Sequence, residues 1–126
     1  MKEFDVFVEN KPGELARLTE MLARSAVNIR GLATEKHGPK PVVKLITDDE
    51  LSTRGALERG GFVYEEFEAI VLDLIDRPGE IAKVAKKAAR AALNIDSVFL
   101  LGNKESAASM ALVTNDYKKA KEVFGP

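Results

Sequence analysis

Apolar residues along this chain change their period several times, and the changes mark its elements. Phe4 to Glu9 and Ala69 to Ile75 are short, β-rich apolar stretches, each ending at a polar residue, Asn10 or Asp76, two positions before Pro-Gly. The pattern predicts a strand running into a turn. Beyond each turn, Leu15, Leu18, Leu22 and Ala26 recur at helical spacing, as do Ile81, Val84, Ala88 and Ala92. Both sets predict amphipathic helices of about four turns. Pro12 suits the first helical position, where its missing N–H has no partner to lose, and Glu14 in the first turn complements the helix dipole. The outer faces carry Arg17, Glu20 and Arg24 in one helix and Lys83, Lys86, Lys87 and Arg90 in the other.

A β-hairpin follows each helix. The first joins Asn28 to Lys36 with Val42 to Thr47 through His37-Gly38-Pro39-Lys40-Pro41. The second joins Asn94 to Leu101 with Ala107 to Thr114 through Gly102-Asn103-Lys104-Glu105-Ser106. Asp48-Asp49 and Asn115-Asp116 then stand where they can cap a short second helix. In the first copy that helix, Leu51 to Arg59, contains Gly55, at a cost of about 1 kcal/mol relative to Ala. Gly60-Gly61 stops it, and Phe62 to Phe67 supplies a fourth strand. The order β-α-β-β-α-β predicts an α+β fold of the ferredoxin-like kind, antiparallel sheets with helices on one face and strand order 4-1-3-2. The second copy ends its pattern after Tyr117 to Phe124, so its last strand is missing and Ala69 to Ile75 is expected to be a sheet edge in want of a partner.

The two halves are copies. A shift of 66 positions lays Pro12-Gly13-Glu14-Leu15-Ala16 on Pro78-Gly79-Glu80-Ile81-Ala82 and Ala26-Val27-Asn28-Ile29 on Ala92-Leu93-Asn94-Ile95, with nine of eighteen positions identical from 12 to 29. The register returns at Thr47-Asp48-Asp49 and Thr114-Asn115-Asp116, offset by 67. Two domains are expected, 1–68 and 69–126.

Composition narrows the function. With 19 basic and 20 acidic residues the net charge is −1, which argues against a nucleic-acid binder. At 45% hydrophobic and 31% charged residues the chain has the make-up of a globular protein with a real core. The absence of Cys excludes disulfide scaffolds, thiolate metal sites and thiol nucleophiles, and a single His leaves little for metal chemistry. No cofactor is expected. No apolar run approaches the roughly 20 residues of a membrane span, and the N-terminal residues do not read as a signal segment, so no membrane association and a cytoplasmic location are expected.

A strand ending in Asn-x-Pro-Gly, a helix of the form Gly-x-Leu-x-x-Leu-x-x-x-Leu and a strand opened by Val-Asn-Ile resemble the ACT domain, the small-molecule-binding regulatory module found beside amino-acid-metabolising enzymes. The first copy shows Asn10-Lys11-Pro12-Gly13-Glu14-Leu15 and Ala26-Val27-Asn28-Ile29; the second shows Asp76-Arg77-Pro78-Gly79-Glu80-Ile81 and Ala92-Leu93-Asn94-Ile95. The chain most resembles stand-alone tandem ACT proteins, which carry no enzyme domain. The resemblance implies a non-catalytic effector site between the turn after the first strand and the start of the second, usually at an interface between modules. Asn10, Pro12, Gly13, Glu14, Leu15, Asn28 and Ile29 would line one site, and Asp76, Pro78, Gly79, Glu80, Ile81, Asn94 and Ile95 the other. It further implies an amino-acid effector, a homodimer and a regulated enzyme partner. Members that bind hydroxylated amino acids carry His two residues before the motif Asn; Val8 and Leu74 stand there in this chain.

Elementary chemistry supports such a site. A helix N-terminus offers backbone N–H groups and partial positive charge to a carboxylate, while Asn10 or Asp76 and Asn28 or Asn94 can accept from an α-ammonium group. Glu14 and Glu80 oppose this, because they would repel an anion unless they point away. Several residues also have plain structural roles open to them: Pro-Gly-Glu as a turn and helix start, Asn28 and Asn94 as left-handed helix closures, His37 as a surface residue, and the basic helix face as solvated. Catalysis finds no support. The serines have no His placed to activate them, no Gly-rich loop cradles a phosphate, and the aromatic residues form no RNA-stacking motif. The alternative to a sensor is a protein-interaction or structural module with vestigial sites, its open strand edge pairing with a partner protein.

Overall fold

A computed structural model describes residues 1–104 and 107–125. The turn residues Glu105 and Ser106, Pro126 and the side chains of His37, Asn103 and Lys104 lie outside the described residues. The chain separates into two compact units, which meet between Phe67 and Glu68 in sequence. The first runs β1 (Lys2–Phe7), α1 (Glu14–Arg24), β2 (Ile29–His37), β3 (Lys40–Thr47), α2 (Glu50–Arg59) and β4 (Val63–Glu68). The second runs β5 (Ile70–Ile75), α3 (Glu80–Arg90), β6 (Ile95–Lys104), β7 (Ala107–Thr114) and α4 (Tyr117–Phe124). Both are α+β. The first sheet has the order β2-β3-β1-β4, which is the ferredoxin-like order read from its other edge. The second is β5-β7-β6, without a fourth strand among the described residues.

Register repeats as well as order. Phe4 and Val6 of β1 face Leu45 and Val43 of β3; Ile70 and Leu72 of β5 face Leu112 and Met110 of β7, at the positions the repeat predicts. In the first unit Phe4, Val6, Leu18, Leu22, Leu45 and Leu57 are sealed into one core. The second core is thinner: Val84, Met110 and Leu112 are buried, but Leu72 and Leu74 remain half-buried.

The helices differ from expectation in detail. α1 and α3 begin at Glu14 and Glu80, not at the prolines, and each has eleven residues, about three turns. Gly13 and Gly79 hold the N-cap position, so Pro12 and Pro78 belong to the preceding turn. Leu15 and Ile81 are 42% and 48% exposed rather than core-facing. The buried line of α1 is instead Glu14, Leu18 and Leu22, spaced i, i+4, i+8, because Glu14 has a partner that permits burial. α2 forms in spite of Gly55, held by the Asp49 cap and by burial of Thr53, Ala56 and Leu57.

Both long helices close in the same way, and Asn does not do it. Ala26 and Ala92 take the left-handed conformation, with φ of 56° and 55°. The N–H of Ala26 donates to Ala23 O and that of Val27 to Leu22 O, at 3.0 Å each; Ala92 and Leu93 repeat the pair onto Ala89 and Ala88. This is the Schellman closure, completed two residues before the position suggested for Asn28 and Asn94.

Candidate ligand site

The turn between first strand and first helix has one geometry in both units. Glu9 O accepts from the Lys11 N–H at 3.0 Å, and Ile75 O accepts from the Arg77 N–H at 3.0 Å, bending the chain around Asn10 and Asp76 respectively. Gly13 and Gly79 then turn left-handed, with φ of 93° and 89°, where a side chain is strained although a Cβ would meet open space. With glycine at the N-cap, no side chain caps α1 or α3. The other two helices are capped: Asp49 accepts from the Ser52 N–H at 2.9 Å and Asp116 from the Lys119 N–H at 3.0 Å. The uncapped helix starts are therefore confined to the turns that carry the Pro-Gly-Glu motif.

The two glutamates at these starts are held away from free charge. Glu14 accepts from Arg17 Nε at 2.9 Å. That bond, foremost, and the backbone N–H of Glu9 and nearby Lys11 keep its carboxyl below the ordinary value against the opposing effect of desolvation. Glu80 is held low in the same direction, first by Lys83 Nζ at 2.8 Å and also by Arg77 Nε at 3.5 Å. Each motif Glu thus stays ionised but is paired with a cation one turn on, which offsets the repulsion expected of it. Arg17 does more than line an outer face. Its Nη1 donates to Gly60 O at 3.0 Å and its guanidinium lies 4.0 Å from the Phe62 ring centroid, so it ties α1 to the end of α2. Its i to i+3 spacing from Glu14 signals the ion pair, but not the reach to Gly60 and Phe62.

Beside the first turn lies a pocket of ≈ 260 Å³ lined by Phe7, Val8, Glu14, Arg17, Lys40 and Phe62. Its counterpart in the second unit is ≈ 90 Å³, lined by Leu74, Asp76, Glu80, Ile81 and Leu100 among others. Of the residues expected at the sites, Glu14 lines the first pocket and Asp76, Glu80 and Ile81 line the second. Asn10, Pro12, Gly13 and Leu15 are exposed on the first turn, as are Pro78 and Gly79 on the second.

Asn28, Ile29, Asn94 and Ile95 are elsewhere. The eleven residues of α1 span about 16 Å and carry the chain to the opposite end of its unit before Asn28. There the Asn28 N–H donates to Asp48 Oδ1 at 3.2 Å, and the Asn94 N–H to Asn115 Oδ1 at 2.9 Å. Asp48 and Asn115 therefore anchor the second strand, while only the following Asp49 and Asp116 cap helices. Ile29 and Ile95 are half-buried and pack against the cores. An open depression of ≈ 580 Å³, lined by Met1, Ala26, Thr47, Asp48, Asp49 and Glu50, occupies that end of the first unit. Within one unit, then, the turn residues and the Asn-Ile residues stand at opposite ends. No group of three or more metal-ligating side chains occurs among the described residues. No helix among them is long and apolar enough to cross a membrane.

No protein-family model matches the chain, and no curated protein matches its sequence. Solved structures do match. A Bacteroides thetaiotaomicron protein superposes with a TM-score of 0.88 at 24% identity, over 97% of this chain and 84% of its own. The ligand-free regulatory subunit of aspartate kinase from Thermus thermophilus gives 0.69 at 15% identity, over 98% and 87%. The corresponding subunit from Thermus flavus gives 0.63 at 15%, over 98% and 89%. The likeness is one of fold, and it is an ACT-like fold.

Proposed function

We infer that this chain is a non-catalytic regulatory protein that binds a small zwitterionic metabolite, an amino acid with an apolar side chain, and signals its occupancy to an enzyme partner. One observation carries this reading: both units present an uncapped helix start behind a left-handed glycine, with the adjacent glutamate already paired with a cation, beside a pocket. A carboxylate gains from the helix N–H groups and dipole, and Asn10 or Asp76 receives the ammonium. Val8 lies at the first pocket and Leu74 at the second, which suits an apolar side chain. The same fold serves the regulatory subunit of aspartate kinase in Thermus.

Because the turn and Asn-Ile half-sites stand at opposite ends of each unit, a ligand that uses both is shared between two modules. A homodimer supplies such pairs. The ligand then favours one arrangement of modules by the difference in its affinity for the alternatives. Thermal-shift screening against the twenty amino acids tests this: a ligand at 100 times its Kd stabilises the protein by about 2.7 kcal/mol. A rise in melting temperature with one or a few apolar amino acids is expected, and twenty flat responses contradict the reading.

A further inference from the structure

The two turns repeat, but what stands across from them does not. In the first unit the pairing of β1 with β3 ends at Phe7 and Val42, and the Val8 N–H then donates to Pro41 O at 3.2 Å. One step further along the same register Glu9 comes opposite Lys40, and both line the pocket of ≈ 260 Å³. In the second unit that place in the register is held by Ile75 and Ala107. One copy therefore has two charged side chains beside its turn where the other has two apolar ones.

Four charged residues line the first pocket: Glu9, Glu14, Arg17 and Lys40. Three of them are engaged, Glu9 with Lys11 at 3.2 Å and Glu14 with Arg17 at 2.9 Å. Lys40 has no acid partner among the described residues. Glu9 and Glu14 thus stand against Lys11, Arg17 and Lys40, which leaves one cation in surplus. The second pocket of ≈ 90 Å³ is lined by Asp76, Arg77 and Glu80, and Glu80 is shared between Arg77 at 3.5 Å and Lys83 at 2.8 Å. Asp76 and Glu80 against Arg77 and Lys83 leave no surplus. The first pocket is also walled by Gly61, Phe62 and Val63 at the start of β4, a strand without a counterpart among the described residues of the second unit.

A zwitterion entering either pocket brings one carboxylate. A cation with no acid of its own forms a charge-assisted bond to it without giving up another. We propose that Lys40 receives the carboxylate of the bound amino acid in the first unit and makes that pocket the dominant binding site of the chain. The inference rests on the metabolite reading above and adds to the helix start a residue outside the Pro-Gly-Glu motif. The motif, shared by both copies, then places the ligand, and the residue across the strand sets how tightly each copy holds it.

Calorimetric titration of the full chain with each of the apolar L-amino acids, alanine, valine, leucine, isoleucine, methionine, phenylalanine, tryptophan and proline, and with the primary amide of each, tests this. One dominant site per chain is expected with an amino acid that binds. Lys40→Ala should weaken that site about tenfold, the loss of one charge-assisted bond, while Lys40→Arg should keep most of the affinity. The amide retains the ammonium group and the side chain but has no carboxylate charge, so it should bind weakly and respond to Lys40→Ala little or not at all. Lys40 is exposed, and an unchanged melting temperature without amino acid checks that its variants fold. Two equal sites, a Lys40→Ala titration that matches the unmodified chain, or an equal loss with amino acid and amide overturns the role of Lys40 and leaves the metabolite reading standing. Silence from the whole series overturns both.

Discussion

Ala26 and Ala92 sit in a backbone region that disfavours any Cβ, and the strain is testable. Relief of the left-handed conformation by glycine is worth about 1–2 kcal/mol, and the added freedom of the unfolded chain takes back about 0.4–1 kcal/mol. Ala26→Gly and Ala92→Gly should therefore each stabilise by roughly 0.5–1 kcal/mol in urea unfolding. Nothing in an alanine side chain announces this geometry, which is why Asn28 and Asn94, two residues later, looked the better closures. Charge at the residue scale is equally testable. Glu14, Glu66 and Glu80 all have folded-state values held below the ordinary 4.5, chiefly by Arg17, Arg54 and Lys83 respectively. A depressed carboxyl contributes stability that is complete above its unfolded value and is lost as pH falls through the folded one. The melting temperature should therefore hold level from neutral pH to about 5.5 and decline below 4.5, and Glu14→Gln should flatten part of that decline. The Glu14–Arg17 pair was visible in sequence as an i, i+3 spacing, but the reach of Arg17 to Gly60 and Phe62, more than forty residues on, has no local signature.

At the scale of elements, the four helices fall into two kinds. α2 and α4 are capped by Asp49 and Asp116; α1 and α3 have glycine at the N-cap and are held by their apolar faces. Asp116→Ala should cost the second unit about 1 kcal/mol, seen as an earlier denaturant midpoint, since the Lys119 N–H loses its acceptor. The strands and their order were legible because period-2 apolar runs and turn residues are local signals, and α4 begins and ends where its pattern predicts. Helix starts were less so: Pro12 suits a first helical position, but the left-handed Gly13 after it moves the start to Glu14. Likewise Leu15 fits the apolar stripe by spacing alone, whereas the sheet beneath accepts the line through Glu14, Leu18 and Leu22.

For the whole molecule, duplication is the organising fact, and it is readable in the sequence as nine identities in eighteen positions. What duplication could not reveal is how unequal the copies have become. The turn pockets differ, ≈ 260 against ≈ 90 Å³, because their walls include strand ends and loops that the repeat does not conserve, such as Phe62 in one and Leu100 in the other. Nor did motif spacing reveal that Asn28 and Asn94 stand a helix length away from the turns, since sequence distance carries no direction. The central claim is that the two Pro-Gly-Glu turns bind a metabolite through Asn10 and Asp76. Calorimetric titration of the stabilising amino acid into the Asn10→Ala/Asp76→Ala double variant tests it most directly. Both residues are exposed, so the variant is expected to keep its fold, and its unliganded melting temperature checks this. Loss of the binding heat seen with the unmodified chain is the predicted result, and a titration curve of unchanged affinity and stoichiometry would contradict it.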